Sequence, residues 1–330
     1  MSNVRIGVIG AGNMGADHVT TLHRYVSGAT VTLVADLNAE RARSALVPGS
    51  RATTDPYALI ADPEVDAVVI ASHDTTHADL AIAALRAGKP VMCEKPLAPT
   101  LDECLRVARE EQQAGVGLLS LGFMRRFDPA YVELKAGLVG GACGTPLLMH
   151  CIARGVSSAP GATSEFSITG SAIHEFDIVP WLLNSPIIEV SWHAPRSTNI
   201  APGLQDPQLI LLRTADGVLT TVEVFLNARY GYDIRCEIAG ERGTLALADP
   251  ARLVKTSELA QSKAYPADWR PRFADAYRLE LQAWVDAVAT GQISTLAGAR
   301  DGVLAAAVAE AVITSMKDGG RTIAIEVPGE

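Results

Sequence analysis

A short β-branched run leads into three glycines spaced G-x-G-x-x-G and out into helical sequence, VRIGVIGAGNMGADH over residues 4–18. A glycine triplet alone is a weak signal. Here it stands between a strand and a helix, and a second strand, TVTLVADLN, carries the chain to Asp36. Gly10 permits a tight turn, Gly12 lets main chain approach a pyrophosphate, and Gly15 lets the helix pack closely on the strand. Asn13 and Met14 open the helix, whose first N–H groups and partial positive charge face the phosphates. Asp36 lies about 20 residues beyond the glycines, where a carboxylate accepts hydrogen bonds from the adenosine ribose. It also repels a 2′-phosphate, so NAD is expected rather than NADP. Arg41 and Arg43, just past it, are the cations that a 2′-phosphate would have to recruit.

The alternation continues through a strand at 66–72 (DAVVIAS), a helix closed by Gly88, a strand in KPVMCEKP, a helix in LDECLRVAREEQQAG and a strand in VGLLSLGF. Strands alternating with helices predict a parallel, doubly wound sheet, here over residues 1–122. Ligands in such sheets lie beyond the carboxyl ends of the strands. Those ends are Gly10–Gly15, Asp36, Ala71-Ser72-His73-Asp74, Glu94-Lys95-Pro96 and Gly122–Arg126. Ala71, Ser72, His73, Glu94 and Lys95 therefore join the glycines as expected cofactor neighbours.

Residues 123–330 read differently. After an amphipathic helix, runs such as TPLLMHCIA, IIEVSWHA, PQLILLRT, VLTTVEVFL, YDIRCEIAG and GTLALA are separated by turn residues. They predict an α+β domain on an open mixed sheet. Two late helices, around 273–290 and 295–316, precede a closing strand, TIAIEV. One sheet face is apolar with few helices left to cover it, which predicts a homo-oligomer. SITGSAIHEFD (167–177) reads as a helix start with Ser171 as cap. On the helical period His174, Asp177, Ile178 and Trp181 share an inward face, and Glu175 falls on a solvated one.

Composition excludes several classes. The balance of 28 basic against 37 acidic residues, net −9, lacks the clustered positive charge that nucleic acid or an anionic membrane requires. Five widely spaced cysteines without a CxxC pair make neither a disulfide framework nor a zinc site, so no metal is expected and a reducing, cytoplasmic setting is. No leader precedes the first strand and no apolar run reaches the ~18 residues of a membrane span.

The motifs GVIGAGNMG, HADLAIAALRAGKPVMCEKPLA, GFMRRFDPAY and HEFDIVPWLL together resemble the Gfo/Idh/MocA oxidoreductases, most of all their inositol-oxidising branch through RYGYDIRCEIAGERG and DWRPRFADAY. The resemblance covers essentially the whole chain. It implies a Rossmann domain followed by an α+β domain, a tetramer, and an X-Pro peptide at Lys95–Pro96 that is often cis. It also implies that Lys95 hydrogen-bonds a reacting hydroxyl while His174 takes its proton. The reaction implied is hydride transfer between NAD and a secondary alcohol of a cyclitol or sugar derivative. Arg126, His150, Gly170 and Tyr232 fall at the implied substrate pocket.

The branch usually carries an aspartate where Gly170 stands, and polar residues where Ala153 and Gly155 stand. A wider pocket, and a Lys95 without its usual carboxylate partner, are therefore expected. Two other readings stay open at this stage. One is a relative that uses bound NAD transiently for epimerisation, elimination or glycoside cleavage; the other is a catalytically silent NAD-binding protein. Neither the particular cyclitol or sugar nor the direction of reaction follows from the residues.

Overall fold

The computed structural model describes residues 3–114, 117–248 and 253–326. Gly115, Val116 and Val327, at the edges of expected elements, lie outside the described residues. The first parallel sheet uses β1 (Val4–Ile9), β2 (Ala29–Ala35), β3 (Arg51–Thr53), β4 (Ala67–Ile70), β5 (Val91–Glu94) and β6 (Leu119–Gly122), in the order β3-β2-β1-β4-β5-β6. β4, β5 and β6 are buried along their whole length, which is why they read as unbroken apolar runs rather than alternating ones. The order reverses between β1 and β4, so their carboxyl ends open a crevice where ligands bind.

The second sheet takes β7 (Pro146–Arg154), β8 (Ile187–His193), β9 (Gln208–Thr214), β10 (Leu219–Phe225), β11 (Asp233–Gly240) and β12 (Gly243–Ala246). A separate hairpin of β13 (Val254–Ser257) and β14 (Ala260–Lys263) follows, and β15 (Ile323–Ala324) closes the sheet in the order β12-β11-β7-β10-β9-β8-β15. β7 and β10 run parallel and their other neighbours antiparallel, so the sheet is mixed. Met149, Cys151 and Ala153 alternate onto its buried face with Ile210, Leu212, Val222 and Val224. Leu148, His150, Ile152, Leu211, Thr221 and Glu223 alternate onto the other, less covered face.

Contacts divide the chain into one unit of Met1–Phe127 with Asp275–Ala306 and another of Asp128–Ala274 with Ala307–Glu330. This differs from the expected contiguous division at 122/123. The helix Ala274–Thr290 supplies the reason: its Leu281, Trp284 and Val285 share one apolar core with Val4, Ile6, Val8 and Val31. Each such buried side chain contributes roughly 1.5–3 kcal/mol, so the helix stays with the sheet it covers. An amphipathic pattern shows that a face is apolar but not which sheet will bury it.

Among the described residues, no helix is long and apolar enough to cross a membrane, and no cluster of metal-ligating side chains occurs. All five cysteines are buried free thiols.

Candidate active site

In the first unit the glycine turn is held by main chain on both sides. Gly10 N–H donates to the Ala35 carbonyl and Ala71 N–H to the Ile9 carbonyl, each at 2.7 Å. Gly10 has φ +91°, and a Cβ there would stand 2.5 Å from Ser72 N. A Cβ at Gly15 would overlap the Gly10 carbonyl oxygen. Gly12 differs: a Cβ on it meets no protein atom within 4 Å. Its main chain faces open space at the start of the helix Asn13–Tyr25, which has no side-chain cap and no acidic residue in its first turn. The helix terminus is thus left bare for an anion.

That space belongs to a cavity of about 720 Å³ bordered by Gly10, Gly12, Asp36, Leu37, Ala71 and Ser72, with His73 and Arg41 also on its wall. Asp36 is fixed at its edge: Ala11 N–H donates to Oδ2 and Asn38 N–H to Oδ1, both at 2.8 Å. The bare glycine, the uncapped helix and the oriented carboxylate fit a dinucleotide. Arg41 reaches the cavity beside Asp36, whereas Arg43 is not among the residues that border it.

Glu94, Lys95 and Pro96 continue from β5, and the Lys95–Pro96 peptide is cis. Burial pushes the Lys95 amine below its usual range; the Glu94 carboxylate opposes this and the Arg125 charge adds to it. Burial raises the Glu94 carboxyl, but the hydrogen-bonded His18 together with the Lys95 and His77 charges outweighs it and holds the group below the ordinary carboxylate range. Lys95 therefore has a carboxylate neighbour after all, its own sequence neighbour. Asn13, Met14 and Gly15 form the first helical turn beyond the glycine loop.

Of the adjacent arginines, sequence reasoning chose Arg126. Its guanidinium bonds Asp301 Oδ1 at 2.8 Å, and Asp301 Oδ2 accepts the Gly298 N–H. That ion pair braces the unit. The arginine whose charge bears on Lys95 is Arg125, only 2% exposed. The 3₁₀ turn at Met124–Phe127 buries Arg125 and leaves Arg126 partly exposed, and no sequence period announces which is the more buried.

In the second unit His174 and Asp177 are both buried on the helix Ile173–Leu183. The expected start at Ser171 is corrected. Thr163 caps the helical stretch by accepting the Phe166 N–H at 3.1 Å, and a π-helical turn over Ser167–Ala172 runs into the α-helix without a side-chain cap. π-turns of this kind recur at functional sites. Glu175 is also corrected: it is 0% exposed, because Ile173 through Val179 are buried all round. The space expected beside Gly170 is filled by Phe166, whose ring atoms lie 3.0–3.3 Å from where a Cβ would be. Tyr232 is half-buried, edge-on against Phe273, with its N–H donating to Pro266 O at 2.8 Å. His150 points elsewhere: it is exposed on the open face of the sheet, 2.8 Å from Thr221 Oγ1, whereas Met149 and Cys151 face the covered side. The structure does not bring His150 to His174.

Family profiles match most of the chain. The Gfo/Idh/MocA profile, described as an oxidoreductase family with an NAD-binding Rossmann fold, matches residues 4–123, and its C-terminal alpha/beta domain matches 163–325. An inositol 2-dehydrogenase of Paenarthrobacter aurescens is 54% identical over 324 residues, 97% of this chain and 98% of that protein. Another, from Saccharopolyspora erythraea, is 49% identical over 96% of this chain and 95% of its own length. Among solved structures, myo-inositol dehydrogenase from Lactobacillus casei, in complex with NAD(H) and myo-inositol, superposes with a TM-score of 0.94. It is 34% identical, over 99% of this chain and 98% of that one.

Proposed function

Because the chain belongs to the Gfo/Idh/MocA oxidoreductase family, we propose that it oxidises a secondary alcohol of an inositol-class cyclitol with NAD. The observation that carries this reading is the full-length, 54% identity to an inositol 2-dehydrogenase. Gly10, Gly12, Asp36 and the Ala71–His73 loop would hold NAD, which when bound supplies the hydride acceptor.

The chain's own groups handle the proton. His174 accepts it from the hydroxyl, a role suited to imidazole, which ordinarily titrates near neutrality. Lys95 hydrogen-bonds the same oxygen and steadies the negative charge that develops there. The Arg125 charge bears on Lys95, and Asp177 shares the buried helix of His174. The unit of Met1–Phe127 with Asp275–Ala306 serves chiefly the cofactor, and the unit of Asp128–Ala274 with Ala307–Glu330 the substrate and assembly. The partly apolar open sheet face, with Leu148, Ile152 and Leu211, supports a homo-oligomer of the tetrameric kind, which light scattering tests. Free thiols and NAD-dependent chemistry suit the cytoplasm.

The test is absorbance at the NADH band on mixing the protein with NAD and myo-inositol. Turnover lost on His174→Ala and on Lys95→Ala, with NAD still bound, is the expected result. Tight NAD binding without NADH from any cyclitol, polyol or sugar overturns it.

One observation favours a second reading of the substrate. Phe166, 45% exposed, lays its ring on Gly170 one turn ahead of His174 and presents an apolar surface. It suits a cyclitol with an alkyl ether or a missing hydroxyl. Greater kcat/KM for O-methylated than for unmodified inositol supports that reading, and the reverse order removes it.

A further inference from the structure

The mechanism above asks a lysine, an amine on a long flexible stem, to meet one oxygen atom. Such a side chain is a good positional device only when its main chain is fixed. Two buried histidines outside the proposed proton-transfer pair reach that main chain, His77 directly and His18 through the Glu94 carboxylate.

His77 opens the helix His77–Arg86 and is 1% exposed. Its Nδ1 is 2.7 Å from the Pro96 carbonyl oxygen and its Nε2 is 3.1 Å from the Ser72 carbonyl oxygen. Pro96 follows Lys95, and Ser72 borders the cofactor cavity. One imidazole ring therefore spans the ends of β4 and β5. The Ser72 side of this bridge is itself tied down: Ser72 Oγ lies 2.7 Å from Thr76 Oγ1, which donates to the His73 carbonyl at 2.7 Å. On the other flank, His18 Nε2 is 2.8 Å from Glu94 Oε1, and Lys95 N–H donates to Glu94 Oε2 at 3.2 Å. His18 lies on the helix that leaves the glycine turn. The Glu94-Lys95-Pro96 turn is thus anchored to the glycine-turn helix at one end and to the cavity wall at the other.

We propose that His77 is a positioning residue: by bridging the Ser72 and Pro96 carbonyls it registers Lys95 against the wall that receives the cofactor. Presentation of the amine then depends on that bridge, while the glycine turn and Asp36 carry most of the cofactor's hold. A simple core histidine would satisfy its nitrogens on any neighbours. Here both partners are carbonyl acceptors, so a neutral ring donates to one and only the imidazolium donates to both; in either form the ring stands between the two segments whose relative placement the reaction needs. A misplacement of about 1 Å at a reacting group is enough to cost about 10²-fold in rate.

The inference rests on the role given to Lys95, so Lys95→Ala is measured alongside. His77→Leu removes both hydrogen-bonding nitrogens at similar bulk. It is expected to lower kcat by about 10- to 100-fold, while NAD affinity, read by quenching of protein fluorescence, moves far less. His77→Gln keeps an amide whose N–H groups can donate to carbonyls, and is expected to recover part of the loss. An unchanged kcat in His77→Leu, or a loss of kcat and NAD affinity in the same proportion, overturns the inference. Should His77→Leu fail to fold, His77→Asn decides by the same split, since its shorter amide can serve only one carbonyl. If Lys95→Ala abolishes turnover and His77→Leu leaves kcat unchanged, only the positioning role fails. If Lys95→Ala keeps turnover, the reading of Lys95 itself fails.

Discussion

The two units present their chemistry in opposite ways. In the nucleotide unit the site is laid out mainly by main-chain atoms, on which the Asp36 and Lys95 side chains are carried: a glycine that approaches its neighbours closely, a bare helix terminus, and carbonyls contacted by His77. In the second unit the decisive groups are side chains, His174, Asp177 and Tyr232, whose directions depend on helix register and on what packs against them. Main-chain requirements leave few permitted residues, so they write a readable pattern. Side-chain placement leaves many, so it does not.

This contrast can be broken by substitution. The largest effect should come from the side-chain half. His174→Ala is expected to cut kcat by about 10²–10⁴-fold at nearly unchanged NAD affinity, measured by steady-state kinetics and fluorescence titration. Retained turnover would mean that the second unit supplies no proton acceptor at that position.

Next comes a pair within one motif. Gly15→Ala forces a methyl onto the Gly10 carbonyl and should cost about 3 kcal/mol of stability, seen as a lowered melting temperature. Gly12→Ala has open space in the protein, so its melting temperature without NAD should match the wild type while NAD affinity falls. Equal melting losses in the two variants would erase the distinction between a packing glycine and a ligand-facing one.

Asp36→Ala should narrow the preference for NAD over NADP about tenfold, by removing a repulsive carboxylate and a ribose acceptor. It should also loosen the turn, since Ala11 and Asn38 lose their acceptor. Competition titrations with the two cofactors measure it. The smallest effect belongs to His150→Ala. With its ring on the exposed sheet face beside Thr221, kcat/KM should stay within about twofold of wild type. A large fall in kcat/KM at constant oligomeric state would return His150 to the substrate site.

Much of the first unit was legible because parallel strands buried on both faces and glycines at fixed spacing have few alternative explanations. The alternating strands β7, β9, β10 and β11 were legible for a related reason, since one face of each is buried and the other is less covered. What escaped had competing local solutions. Thr163 and Ser171 are equally good caps on paper; the π-turn at Ser167–Ala172, invisible to a 3.6-residue period, extends the helix past Ser171. Glu175 reads as solvated because carboxylates usually are, and only a helix covered on all sides removes that option. Arg125 and Arg126 are chemically identical neighbours separated by the geometry of a 3₁₀ turn. The β13–β14 hairpin is exposed along both strands and so leaves no apolar alternation to read.

The return of the helix Ala274–Thr290 to the first sheet has a practical corollary for dissecting the protein. A gene cut after Phe127 would encode a nucleotide half lacking Leu281, Trp284 and Val285, with the apolar groove they line left to water and prone to aggregate. Fusing Phe127 through a flexible linker to Asp275 would rebuild that half as a single piece. Any lineage that exchanged the substrate half by recombination would have needed three crossovers rather than one.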